Sequence, residues 1–269
     1  MTLNFMNDTF ELKRFGLLLK KTILERPMQI IGPVVLTLAA TLALYALALY
    51  FMGWNPAQNL AFIWGLVGGG CFLASAVFGY FGTNASGSAY LTLPASIFEK
   101  WLCAIIIAGV LFCSIFFLFF RVMDASFVSV YHNGLDKNSP LYARMYDAVH
   151  LYTFDSNMVW QSVSVYLNFV GAMMVGSLYF NRASTVKVAL VYVGAIAVIY
   201  FLNLFLVHMM FSNVYQASPF YFVFIKVGND IGKIELPHIA DQIVGITWFY
   251  IIPAILWLTT YIRLREKEI

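Results

Sequence analysis

The sequence predicts an all-α polytopic membrane protein with six transmembrane helices, an N-terminal amphipathic helix and both termini in the cytoplasm. Of its 269 residues, 61% are hydrophobic and 11% are charged, whereas soluble domains carry about 25% charged residues. Six apolar runs are each long enough to cross a bilayer, which takes about 20 residues. The cations lie mainly at the ends of these runs, where membrane topology places them.

Residues 1–27 are expected to form a cytoplasmic amphipathic helix before the transmembrane domain, 28–269. Apolar side chains recur near helical spacing in FELKRFGLLLKKTILERP, and Lys and Arg occupy the remaining arc. Such a helix lies on the cytoplasmic leaflet with its cations facing anionic headgroups. Pro27 is expected to end it and to start the first span. The apolar arc comprises Phe10, Leu12, Phe15, Leu18, Leu19 and Ile23.

The six predicted spans are approximately 28–52, 58–82, 101–120, 159–180, 188–211 and 243–262. Of the 16 Lys and Arg, 11 flank one side of this arrangement, and the positive-inside rule makes that side cytoplasmic. The two long loops are then external.

Loop 121–158 is long enough for a structure of its own or a mobile cap. Loop 212–242 contains SPFYFVFIKVG, which is too short to cross. A re-entrant segment and a helix in the headgroup region are both open interpretations.

Small residues at helical spacing predict close helix packing inside the spans. Gly65 and Gly69 of GLVGGG are four residues apart, and the pairs Ser75–Gly79 and Ala172–Gly176 repeat this spacing. Small side chains let a neighbouring helix approach closely.

No catalytic motif is visible, so the chain is not expected to be an enzyme or to hold a cofactor. The sequence lacks G-x-x-x-x-G-K-[ST], and the four histidines lack H-x-x-x-H spacing for a metal. The three cysteines are interpreted as small core residues. The net charge of +3 is explained by topology and does not indicate nucleic-acid binding.

Charged residues are missing from the middle of the predicted spans, which argues against ion-coupled transport. Any energy source for transport is therefore expected in another subunit. Asn168, Asn203 and His208 are weak candidates for lining a pathway, because polar groups in spans tend to face the protein interior or a cavity. They could equally be hydrogen-bonding contacts between helices.

The segment between spans two and three combines NASGSAYLTLP with ASIFEKW. Ser96 is a suitable N-cap with Glu99 three residues later, which is the spacing of a capping box. Pro94 disfavours helix at Leu93. These features predict a short helix or turn, then a capped helix running into span three, although they could also mark only the start of that span.

Three segments resemble ABC-2-type transporter permeases, the membrane subunits of many bacterial ABC exporters. LPASIFEKWL is similar to the L-P-A-S-x-x-E-K-W segment that follows span two in that family. FELKRFGLLLKKTILE resembles the elbow helix, with its RF-x-L-L-L-K pattern, before span one. ILWLTTYIRLREKEI resembles the family's W-x-x-x-Y-x-R-L-K-E-K-E ending, with Arg265 where Lys is common.

The resemblance implies a permease in the bacterial inner membrane that works with a separate ATP-binding subunit, which would hold ATP and Mg²⁺. The loop between spans two and three would be a coupling helix docked on that subunit, with Leu93, Pro94, Ser96, Glu99 and Lys100 as coupling residues. A second permease chain, identical or different, would complete the pathway in the lipid bilayer. Substrate would leave the cytoplasm or the inner leaflet.

The external loops depart from the family pattern. In the family, the larger external elaboration often lies between spans five and six. Here the loop between spans three and four is the longer one. A non-transporting scaffold or assembly subunit of a cell-envelope complex is therefore the alternative. A membrane-embedded enzyme is disfavoured because no His, Asp or Arg cluster lies near an interface.

Overall fold

The computed structural model describes residues 10–82, 84–180, 184–211, 214–218, 222–227, 230–235 and 237–267. Helices dominate these residues. They are α1 (Leu12–Glu25), α2 (Pro27–Met52), α3 (Trp54–Val77), α4 (Asn84–Leu91), α5 (Ile97–Ile105), α6 (Phe112–Asn133), α7 (Tyr142–Asp147), α8 (Asn157–Tyr179), α9 (Ser184–Met210), α10 (His238–Ile246) and α11 (Ile252–Glu266).

Six of the described helices are long and apolar enough to cross a membrane, which confirms the predicted polytopic all-α class. They are Pro27–Met52, Trp54–Val77, Ile97–Asn133, Asn157–Tyr179, Val186–Met210 and His238–Glu266. Two are compound: a π-helical stretch, Ile106–Leu111, joins α5 to α6, and another, Thr247–Ile251, joins α10 to α11.

The third spanning helix runs 13 residues beyond the predicted end at 120 and stops at Asn133. The sequence-based boundary fell at the first charged residue, Arg121. In the structure Arg121 donates to the carbonyl of Tyr152, and Asp124 is buried among hydrogen-bond donors. Because these polar groups are satisfied by the chain itself, the helix continues and the connection to α8 shortens to 134–156.

Within 212–242, the described residues 214–218, 222–227 and 230–235 form a three-stranded antiparallel sheet before α10. Its strands are β1 (Val214–Ser218), β2 (Phe222–Val227) and β3 (Asp230–Glu235), in the order β1-β2-β3. The interpretation of this segment as an interfacial helix is therefore wrong for these residues. The run FVFIKV is rich in aromatic and β-branched residues, which favour strands, and each strand finds a partner for its backbone groups in the next.

Helices α3 and α8 form the centre of the bundle. In each of them, 56% of the most apolar 18-residue stretch is buried. The predicted close packing is confirmed at Gly65, Gly69 and Gly176, whereas Gly79 lies beyond α3 in a 3₁₀ turn and does not belong to a packing face of that helix. Gly65 lies against Thr41 and Phe116, and a side chain at Gly176 would overlap Val188 of α9. By contrast, only 6% of the most apolar stretch of α9 is buried. Most of the surface of α9 is therefore left for lipid or a partner.

Helix α1 packs on the transmembrane bundle through one side. Phe15, Leu18 and Thr22 are buried, whereas Leu12 of the predicted apolar arc is 76% exposed. Pro27 occupies the first turn of α2, as expected. The apolar arc thus serves largely to attach α1 to the protein.

Candidate coupling site

The connection between α3 and α5, which we call the corner, contains a short 3₁₀ turn, Gly79–Gly82, and helix α4. The ring of Tyr80 in the turn stacks on that of Tyr90 in α4, with centroids 4.7 Å apart. The guanidinium of Arg26, at the junction of α1 and α2, lies 4.4 Å from the Tyr80 ring. These contacts fix α4 against the base of the bundle.

The predicted capping box at the start of α5 is present. The Ser96 hydroxyl accepts a hydrogen bond from the Glu99 backbone N at 3.2 Å, and the Glu99 carboxylate accepts one from the Ser96 backbone N at 2.9 Å. Helix α4 ends at Leu91, which agrees with the expectation that Pro94 excludes helix just before it. The corner thus separates two helices by a defined turn.

Glu99 also joins the corner to α1. Its carboxylate, fully buried, accepts hydrogen bonds of 2.8 Å from both Nε and Nη2 of Arg14, and one of 2.9 Å from the backbone N of Glu11. The hydrogen bond to Glu99 raises the pKa of Arg14 above its ordinary value. A carboxylate that receives this many donors is held in its ionised form. Glu99 is therefore the point at which α1, the turn and α5 meet.

Lys100 of α5 connects this helix to the end of α4. Its side chain is 1% exposed, and Nζ donates a 2.8 Å hydrogen bond to the carbonyl of Leu91, in the last turn of α4. The final carbonyls of a helix lack partners within it, and a cation there also complements the helix dipole. Lys100 thus holds α4 to α5.

The surface of the corner is small and uncharged. Ala89, Thr92, Pro94 and Phe98 are exposed, and residues 84–98 contain no Asp, Glu, Lys or Arg. We call these four exposed residues the corner surface. It can enter a groove of a partner without removing a charge from water, which is the costly part of burying a surface.

The structure brings the five predicted coupling residues into one corner but gives them different positions. Pro94 is exposed and Leu93 is half-buried, whereas Ser96, Glu99 and Lys100 are buried. The buried three shape the corner and do not present a docking face. The exposure of Ala89 and Thr92 could not be predicted from the sequence, because a short polar segment does not indicate which of its side chains face outward.

The three weak pathway candidates are not joined by hydrogen bonds within the described chain. Asn168 is fully buried, and its Nδ2 donates to the carbonyls of Ser164 and Trp248, each at 2.9 Å. His208 is exposed and bonds to Leu204 of its own helix. The buried Nδ2 of Asn203 and Oδ1 of Asn168 lack hydrogen-bond partners among the described residues. Through its hydrogen bond to Trp248, Asn168 links α8 to the π-helical stretch Thr247–Ile251.

A second polar cluster, which sequence reasoning missed, lies at the opposite end of the bundle. Asp124 is fully buried, and its carboxylate accepts hydrogen bonds from the Tyr45 hydroxyl at 2.7 Å, Gln58 Nε2 at 2.9 Å and the Tyr152 backbone N at 2.8 Å. Gln58 Nε2 also donates to the carbonyl of His150 at 3.0 Å. Asp124 thus attaches the connection 134–156 to α2 and α3. Its place within a predicted loop gave no signal of this role.

An open groove of about 370 Å³ lies between the middles of α2 and α3. Gly65 and Gly68 belong to its lining, and Trp64 forms part of one wall. The hydroxyls of Thr37 and Thr41 donate to carbonyls of their own helix. The groove thus has an apolar character that suits contact with lipid chains.

Comparison of the chain with protein-family models, with curated proteins and with solved structures gives no match. The resemblance to ABC-2-type permeases is therefore carried by its three sequence segments.

Proposed function

We propose that this chain is the membrane subunit of an ATP-binding-cassette exporter in the bacterial inner membrane. A separate ATPase subunit would bind ATP and Mg²⁺ and drive substrate export, or a change of conformation, through a pair of such chains. The observation that carries the proposal is the corner: an uncharged exposed surface whose buried Glu99 and Lys100 connect it to α1, α4 and α5.

The corner is suited to transmitting a displacement from a partner subunit to the spanning helices. Helix α5 is the start of the continuous 37-residue helix Ile97–Asn133, which at 1.5 Å per residue is about 55 Å long. Only Arg26 separates α1 from α2. A partner that moves the corner surface would therefore move the first and third spanning helices together, since Glu99 links both.

The direction of the chain in the membrane belongs to the same proposal. The corner, both terminal segments, the connection between α8 and α9 and the first turn of α9 carry 11 of the 16 Lys and Arg. The positive-inside rule makes this side cytoplasmic, which is where an ATPase finds ATP. The sheet and the connection 134–156 would then face outward.

Co-purification from native membranes, followed by ATPase measurement, tests the proposal. We expect an ATP-binding subunit in stoichiometric amount. Thr92→Glu should abolish the effect of this chain on its ATPase rate, because the charge enters the docking groove, while thermal stability in detergent stays unchanged. The matched control is Asn138→Glu, which adds the same charge to an exposed position at the other end of the bundle. Unchanged coupling with Thr92→Glu counts against the corner as the docking site.

A scaffold subunit of a cell-envelope complex is the second candidate, and the external sheet favours it. Tyr215, Ile231 and Ile234 are 67%, 55% and 44% exposed on β1 and β3, and such side chains suit a protein contact. Co-purification of a large envelope complex without an ATPase would support this candidate and exclude the first.

A further inference from the structure

We propose that the outward face of α1 is a binding site for anionic phospholipid headgroups, formed by Lys13, Leu17, Lys20 and Leu24. These four residues, which we call the α1 stripe, follow one another at spacings of four, three and four. Residues at this spacing share one side of a helix. The site does not depend on an ATPase partner, so it can be tested apart from the proposed function.

The orientation of α1 is fixed by its opposite side. Arg14 is bound to Glu99, and Phe15 and Leu18 are buried against the bundle. This attachment leaves the stripe facing away from the protein: Leu17 and Leu24 are each 62% exposed, and both lysines are exposed.

The stripe ends next to the first spanning helix, since only Arg26 separates α1 from α2. Met28, Ile31 and Val35 at the start of α2 are 85%, 47% and 58% exposed. Because α2 crosses the membrane and begins directly after Arg26, the C-terminal end of α1 lies at the membrane surface. Leucines there reach the acyl boundary while lysines extend to the headgroups.

Charge selects anionic headgroups as the occupant. Lys21 lies 3.9 Å from Glu25 of the same helix, and this carboxylate offsets its charge. Lys13 and Lys20 supply the positive charge of the stripe. The attraction of two basic residues to an anionic leaflet corresponds to a preference for an anionic over a zwitterionic lipid of about 30-fold.

Native mass spectrometry of the full chain in detergent tests the proposal. The chain is titrated separately with phosphatidylglycerol and phosphatidylcholine of identical acyl chains. We expect Lys13→Gln/Lys20→Gln to lose most of the roughly 30-fold preference for phosphatidylglycerol. Leu17→Gln/Leu24→Gln should weaken the binding of both lipids and keep the preference, because it removes only apolar contact.

The matched control is Lys137→Gln/Lys226→Gln, which removes two exposed lysines from the opposite side of the protein and should keep the preference. An unchanged preference in Lys13→Gln/Lys20→Gln overturns the proposal, and so does an equal loss in the control. If instead a soluble protein covers Lys13 and Lys20 in native membranes, and the purified chain shows no lipid preference, the stripe is a protein contact and the lipid proposal is wrong.

Discussion

Arg14 and Glu99, 85 residues apart in sequence, form a bidentate ion pair in which Nε donates to Oε2 and Nη2 donates to Oε1, each at 2.8 Å. The same carboxylate completes the N-cap of α5. Charge-assisted pairs of this geometry are the strong members of their class. One buried side chain thus couples the attachment of α1 to the start of the third spanning helix.

Glu99→Gln is expected to loosen α1 from the bundle. The amide keeps the size of the side chain but removes the charge that Arg14 needs. Cys103 lies under α1, with its sulfur 3.8 Å from the Thr22 hydroxyl, and is 1% exposed. Its rate of maleimide labelling, followed by peptide mass spectrometry, should rise roughly tenfold, since bonds to charged groups are among the stronger ones.

The control for this experiment is Glu25→Gln on the same helix. Glu25 forms only an exposed contact of 3.9 Å with Lys21, and such surface pairs contribute little. Labelling of Cys103 should not change in this variant. Equal labelling of wild type and Glu99→Gln would show that the ion pair does not hold α1 in place.

Gly69→Ala is expected to destabilise the bundle by about 1–3 kcal/mol, as overpacking does. A methyl group at Gly69 would overlap the side chains of Thr37 and Phe112, whereas one at the adjacent Gly68 would meet no heavy atom within 4 Å. Gly68→Ala is therefore the control and should keep stability or raise it by up to about 1 kcal/mol, because alanine has the higher helix propensity. The measurement is unfolding in detergent followed by circular dichroism. Similar stability of both variants would contradict the observed packing of α2 on α3.

The spanning helices and the cap of α5 could be predicted from the sequence because hydropathy and capping are local signals. Hydropathy located all six spanning helices, and the Ser96–Glu99 spacing predicted the cap that the structure contains. The partner of Glu99 could not be predicted in this way, because Arg14 belongs to another segment and its pairing depends on how α1 lies on α5. The resemblance implied that Glu99 is a coupling residue, whereas the structure places it in the interior of the protein.

The two corrections share a physical origin in tertiary contacts. The third spanning helix continues past Arg121 because Tyr152, 31 residues later, supplies a hydrogen-bond acceptor. The sheet formed where hydropathy favoured a membrane segment, since FVFIKV pairs with β3 in a register that joins Val223 to Ile234. Neither partner is visible from a local pattern.

Asn168→Leu is expected to change stability by less than about 1 kcal/mol. The variant loses a hydrogen bond to Trp248, and interhelical bonds in membranes average about 0.6 kcal/mol. It also removes a buried Oδ1 that lacks a partner among the described residues, which offsets that loss. Unfolding in detergent measures the change, with His208→Leu on the exposed side of α9 as the control. A loss well above 2 kcal/mol would identify Asn168 as a main contact between α8 and the last spanning helix.

Asp124→Ala is expected to release the connection 134–156 from the opposite end of the bundle. The variant leaves the Tyr45 hydroxyl, the Gln58 amide and the Tyr152 backbone N without their acceptor. A buried donor without a partner costs about 1–3 kcal/mol, so we expect a loss of about 3 kcal/mol or more in stability. Amide hydrogen exchange should accelerate around Tyr152 and stay unchanged at the corner between α3 and α5.

Asp155→Ala is the control for the buried carboxylate, because Asp155 is an exposed residue of the same connection. It should change neither stability nor exchange. Slow exchange at Tyr152 in Asp124→Ala would show that Arg121, which binds the Tyr152 carbonyl at 2.9 Å, is enough to hold the connection. Fast exchange that spreads to α4 and α5 would instead show that the two ends of the bundle are coupled, since Asp124 and Glu99 lie on one continuous helix.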